Sequence, residues 1–153
     1  MRERWLPVGV LAAVLFATNV VARVIVRLTG HSEQSQTRVG LIAMIAVAVV
    51  MVGAAYRWAR QHPIPRVLAD LAVAAAAGCL LSVLLGPFAG GSHPLKEGVG
   101  FFVAQIVEFL AISAGGVLFG LLLVMAFGQD WKSQQWKRYA ETVRARPRRV
   151  ARR

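Results

Sequence analysis

One cysteine, Cys79, stands in a chain of 153 residues, so no disulfide can form within it and no thiolate cluster can hold a metal. Its apolar setting fits a small buried side chain. Acids are also scarce: seven Asp and Glu face eighteen Lys and Arg, a formal net charge of +11. The histidines, His31, His62 and His93, all fall outside the long apolar stretches, which argues against bis-histidine haem ligation inside a bundle. There is no Gly-rich phosphate loop and no Cys/His zinc spacing. A serine nucleophile needs a base within hydrogen-bond reach, and Ser82 and Ser113 sit in apolar sequence without one. These gaps lead us to expect no catalytic residues, no cofactor and no enzyme.

What the chain has in excess is apolar residue. The set AVILMFWYC makes up 57% of it, above the rough half of a soluble domain, and mean hydropathy is +0.57. Four runs are almost uncharged: Trp5 to Val26, Val39 to Tyr56, Val67 to Phe88 and Val99 to Phe127. Each reaches the roughly 18–25 residues that span a hydrocarbon core about 30 Å thick, and backbone groups in lipid must be satisfied within the segment. The expectation is an all-α integral membrane protein. Four transmembrane helices, at about 5–28, 39–58, 67–87 and 99–127, form an up-down antiparallel bundle over residues 1–128. A basic amphipathic helix and tail occupy 129–153. The basic start and short apolar core of the first run imitate a signal peptide. The run continues past Ala22 to Leu28, however, and is read as a retained span.

Lys and Arg set the orientation. With the N-terminus cytoplasmic, that side collects fourteen basic residues, nine of them from Lys132 onward, and the other side collects Arg23, Arg27, Arg38 and Lys96. Both termini are therefore expected to be cytoplasmic, in a bacterial inner membrane. The Ala, Val, Gly and Arg bias suggests the bacterial source. The outer loops are then "TGHSEQSQTR" and "GPFAGGSHPLKEG", and the inner loop is "RQHPIPR", where Pro63 and Pro65 keep either helix from continuing. Trp5, Trp58, Trp131 and Trp136 all fall near the cytoplasmic boundary, as an interfacial aromatic belt does. His31 and Glu33 in one outer loop and His93 and Glu97 in the other do not have spacing that demands a metal.

Polar residues inside the spans are the candidates for a role. Glu108 lies about ten residues into the fourth run, or roughly 15 Å deep at helical rise. A lone charge at that depth costs about 2.5–3.5 kcal/mol on insertion scales and so needs a partner. Asn19, Arg23 and Arg27 recur every four residues on one face of the first helix, and Gln105 lies one turn from Glu108. These residues suggest a buried cluster of Asn19, Arg23, Gln105 and Glu108 that clasps two helices. Gly116 and Gly120 form a GxxxG on what reads as the same stripe as Glu108, which would turn that carboxylate toward a neighbouring helix. Asp70, Ala74, Gly78, Ser82 and Gly86 make a second small-residue stripe. Asp70 is read as an acid in a first helical turn, with Arg66 four residues before it.

The tail "QDWKSQQWKRYAETVRARPRRVARR" carries a net +7. Trp136, Tyr139, Ala140 and Val143 share one helical face, so a helix lying in the interface is expected. Trp131, Trp136, Lys137, Arg138, Arg148 and Arg149 would then meet anionic headgroups or an acidic partner subunit. A nucleic acid is not an expected partner, because positive-inside bias already explains the charge. The function expected is a non-enzymatic accessory or scaffold subunit of a larger membrane complex. A small homo-oligomeric transporter or channel using Glu108 and Arg23 is the alternative, and a lipid-binding organiser acting through the tail is a third.

Overall fold

The four apolar runs become four long helices. The computed structural model describes residues 2–29, 33–89 and 98–145. Its elements are α1 (Arg2–Thr29), α2 (Glu33–Ala59), α3 (Ile64–Leu84), the single turn α4 (Gly86–Ala89), α5 (Val99–Ala126) and α6 (Trp131–Ala145). No strand occurs among the described residues. Among the described residues four segments are long and apolar enough to cross a membrane, so the chain is an all-helical, multi-pass membrane protein.

Helix boundaries depart from the expected spans where polar residues or proline decide them. α2 begins at Glu33, six residues before the expected start, because Glu and Gln support a helix even outside lipid. Much of the expected first outer loop is therefore helical. α3 begins at Ile64 with Pro63 as its N-cap. Pro65 falls in the first turn, where its missing N–H costs nothing. The prolines thus start α3 as well as ending α2, and the N–H groups of Gln61 and His62 close the turn on the Trp58 carbonyl at 3.0 and 2.9 Å. At the far end α3 stops at Leu84, short of the expected 87. Pro87 has no N–H to continue the ladder, and its ring would collide with the carbonyl four residues back.

Packing follows two seams, α5 on α2 and α1 on α3. On α5 the buried residues are Phe109, Ser113, Gly116, Val117, Gly120, Leu121 and Val124, a stripe at helical spacing. A Cβ on Gly116 would lie 2.8 Å from the Ala48 carbonyl oxygen, and one on Gly120 would lie 2.6 Å from that of Val52. The two backbones therefore touch where the glycines are, the close approach that small residues permit in lipid. On α3, a Cβ at Gly78 would meet Leu15 Cβ at 3.1 Å. Leu15, Met51, Val67, Leu71 and Val124 are fully buried between the seams, while large apolar side chains cover the outside, as a lipid-facing surface requires.

These contacts also fix register. Gly78 meets Leu15 and Gly86 meets Arg23, so α1 and α3 run side by side in the same sense. Gly116 meets Ala48 and Gly120 meets Val52, so α2 and α5 do likewise. The start of α1, the end of α2 and the start of α3 converge at one end of the bundle. The end of α5 joins them there, because the Tyr56 hydroxyl donates to Gln129 Oε1 at 2.7 Å. Gly128, at φ +57, turns the chain. Asp130 then caps α6, accepting from the Ser133 N–H at 3.2 Å.

Candidate functional site

Asn19 and Arg23 come together as their spacing implies: Arg23 Nε donates to Asn19 Oδ1 at 3.1 Å. The Arg23 side chain lies along α4, with Nε 3.0 Å from where a Gly86 Cβ would be. Glu108 is elsewhere. It is exposed on the outer surface of α5, and no hydrogen bond or ion pair joins it to Arg23, Asn19 or Gln105 among the described residues. The expected four-residue cluster is therefore not assembled: Asn19 and Arg23 pair, and Glu108 and Gln105 do not join them.

Helical geometry explains the difference. A helix turns about 100° per residue, so positions four apart drift by about 40°. Glu108 is thus about 80° from Gly116 and about 120° from Gly120, off the seam those glycines form. Phe109, seven residues before Gly116, occupies the buried position instead. The stripe from Glu108 to Gly120 counted fours where the helix needs alternating threes and fours.

On Glu108's own face the neighbours are Ala104, Ala111 and Gly115, all exposed, at spacings of four, three and seven residues that keep them near one line. A Cβ on Gly115 would touch nothing within 4 Å. The outer face of α5 therefore carries a small-xxx-small pair, Ala111 and Gly115, with a carboxylate one turn before it. This is the shape that lets a further membrane helix approach closely. Other helix-packing candidates lie on the inner seams: Gly78, Gly86, Gly116 and Gly120 are all buried against the same chain. Ser82 and Ser113 are buried too, each with a hydroxyl that has no hydrogen-bond partner among the described residues.

A second feature escaped the sequence reading. Where α1, α2 and α3 converge, a cavity of about 260 Å³ opens, and its polar lining is Arg57, Trp58, Gln61, His62, Arg66 and Asp70. Its apolar wall is Pro7, Val8 and Val67. Asp70 lies in the second turn of α3, because that helix starts three residues early. Arg66 Nε is 3.7 Å from Asp70 Oδ2, so the pair expected from i, i+4 spacing is present as a loose ion pair. The sequence signal for the cleft is the clustering of Arg57, His62 and Arg66 around the short loop "RQHPIPR".

On α6 the aromatic face stands clear of the bundle. Trp136 and Tyr139 are about two-thirds exposed, at 65% and 64%, and stack edge to face with centroids 6.3 Å apart. Lys137 Nζ donates to the Gly128 carbonyl at 3.2 Å, Arg138 is exposed and Trp131 is half-buried. Arg148 and Arg149 lie outside the described residues, as do His31, His93 and Glu97.

The fold and surface define a polytopic helical membrane protein that turns a carboxylate, Glu108, outward from the apolar stretch of α5. No protein-family model, no curated protein and no solved structure matches the chain.

Proposed function

We propose that this protein is a non-enzymatic accessory or scaffold subunit of a larger membrane assembly, in a bacterial inner membrane, and that it docks through the outer face of α5. The observation that carries the reading is Glu108. A carboxylate facing hydrocarbon alone is costly, by about 2.5–3.5 kcal/mol on insertion scales, and such a residue is retained where a partner satisfies it. Ala111 and Gly115 lie beside it and leave room for a partner backbone. The partner in this reading is a membrane helix of another subunit that offers a hydrogen-bond donor or a cation at mid-depth.

In this reading the four spans alternate up and down, and the end of the bundle holding Trp5, Trp58 and Trp131 faces the cytoplasm with both termini. The positive-inside distribution and the shared end described by the cleft and the Tyr56–Gln129 bond support that placement. α6 then lies along the cytoplasmic headgroups on its exposed Trp136, Tyr139 and Val143 face, and the basic residues after it hold anionic lipid or an acidic subunit.

The test is gentle-detergent purification from native membranes, with mass spectrometry of co-purifying subunits, for the unmodified chain and for Glu108→Leu. The reading expects a defined membrane-protein partner that is lost or strongly depleted with Glu108→Leu. A monodisperse monomer with no neighbour captured by crosslinking in native membranes contradicts it. The second reading, a homo-oligomeric transporter or channel, draws on the same outward Glu108. It expects cation or proton flux in reconstituted vesicles that Glu108→Gln abolishes. An organising role for α6 and the tail alone expects a phenotype on deleting 129–153.

A further inference from the structure

We propose that the cleft between α1, α2 and α3 is a binding site for the phosphodiester headgroup of one anionic glycerophospholipid. The cleft lies at the level of Trp58, where the spans end and a membrane interface begins. Two guanidinium groups, Arg57 and Arg66, an imidazole and an amide supply donors from separate elements, the end of α2, the α2–α3 turn and the start of α3. Arginine forks match phosphate oxygens in bidentate geometry. Arg57 forms no hydrogen bond or ion pair among the described residues, and Arg66 is engaged only by the 3.7 Å contact to Asp70.

Charge and size narrow the occupant. The formal charges of Arg57, Arg66 and Asp70 sum to one positive charge, which a singly charged phosphodiester balances. A phosphomonoester, at about −1.5 to −2, overcompensates it. The volume of about 260 Å³ lies just under the roughly 300–1,000 Å³ of ordinary small-molecule pockets, which suits a headgroup rather than a larger metabolite. The buried Val8 and Val67 give the glycerol end an apolar wall. The site is separate from α5 and does not depend on what docks there.

The experiment uses the full chain in a neutral detergent, exchanged into mixed micelles with equal phosphatidylglycerol and phosphatidylcholine. Native mass spectrometry then counts the retained lipid. The expected result is one phosphatidylglycerol held preferentially, with retention falling about five-fold for each of Arg57→Gln and Arg66→Gln. Arg38→Gln removes the same single charge from the start of α2, at the opposite end of that helix from the cleft, and leaves retention unchanged. Val8→Phe fills the cleft without touching a charge and also lowers retention, so the test stands even where an arginine variant misfolds. Equal retention of the two lipids by the unmodified chain overturns the proposal. So does loss with Arg38→Gln but not with the cleft variants. Displacement by millimolar glycerol phosphate or inorganic phosphate as effective as added lipid overturns the lipid as the source and assigns the site to a free anion.

Discussion

Replacing Gly120 by alanine puts a methyl carbon 2.6 Å from the Val52 carbonyl oxygen and 2.9 Å from Ala55 Cβ. A relaxed carbon–oxygen contact is about 3.3–3.6 Å, so α5 and α2 must part by about 0.7 Å or more at this point. The obstacle is backbone in the middle of a helix and cannot rotate away. Overpacking of this kind costs about 1–3 kcal/mol. Alanine also gains about 1 kcal/mol of intrinsic helix preference over glycine, which would mask part of the loss. Gly115 supplies the control. It sits on the same helix, a Cβ there meets nothing within 4 Å, and the preference gained is the same. The difference between Gly120→Ala and Gly115→Ala therefore isolates the packing term, and we expect Gly120→Ala to be less stable by about 1–3 kcal/mol. The assay is reversible unfolding in mixed micelles by titration with a denaturing detergent, followed by helical circular dichroism. Equal unfolding midpoints for the two variants would refute the α2–α5 seam.

Ser113→Ala and Ser82→Ala remove buried hydroxyls that have no partner among the described residues, so each should be neutral or stabilising by up to about 1 kcal/mol in the same titration. A loss above that size would reveal a hydrogen bond at the hydroxyl. Asp130→Ala removes the cap on the Ser133 N–H and should cost α6 about 1 kcal/mol, read as faster tryptic cleavage after Lys132 with the bundle intact. Orientation is checked on a Cys79→Ser background. A cysteine at Ser92 should react with an impermeant thiol reagent applied outside, and one at Ser133 should not. The reverse pattern overturns the charge-based orientation.

The spans were legible because lipid imposes a length and a composition that charge-poor runs of this size satisfy in only one way. Gly116, Gly120 and Gly78 were legible as packing positions, and the structure shows what they touch: Ala48, Val52 and Leu15 of the same chain. The facing of Glu108 was not legible from a stripe drawn in steps of four, since each step rotates about 40°. Counting from the buried run Phe109, Ser113, Gly116, Val117 would have turned it outward. The cleft was hidden for a different reason. It draws on the start of α1 as well as the α2–α3 junction, residues about fifty positions apart, and no local pattern joins them.

The outward carboxylate is the centre of the account, and site-specific photocrosslinking in native membranes tests it most directly. A photoreactive residue at Ala111, beside Glu108, should form an adduct with another membrane protein, and the adduct should disappear with Glu108→Leu. The same probe at Leu80, an exposed position on α3, should yield lipid adducts only. Lipid adducts alone at both positions, or protein adducts at Ala111 that persist with Glu108→Leu, would contradict it.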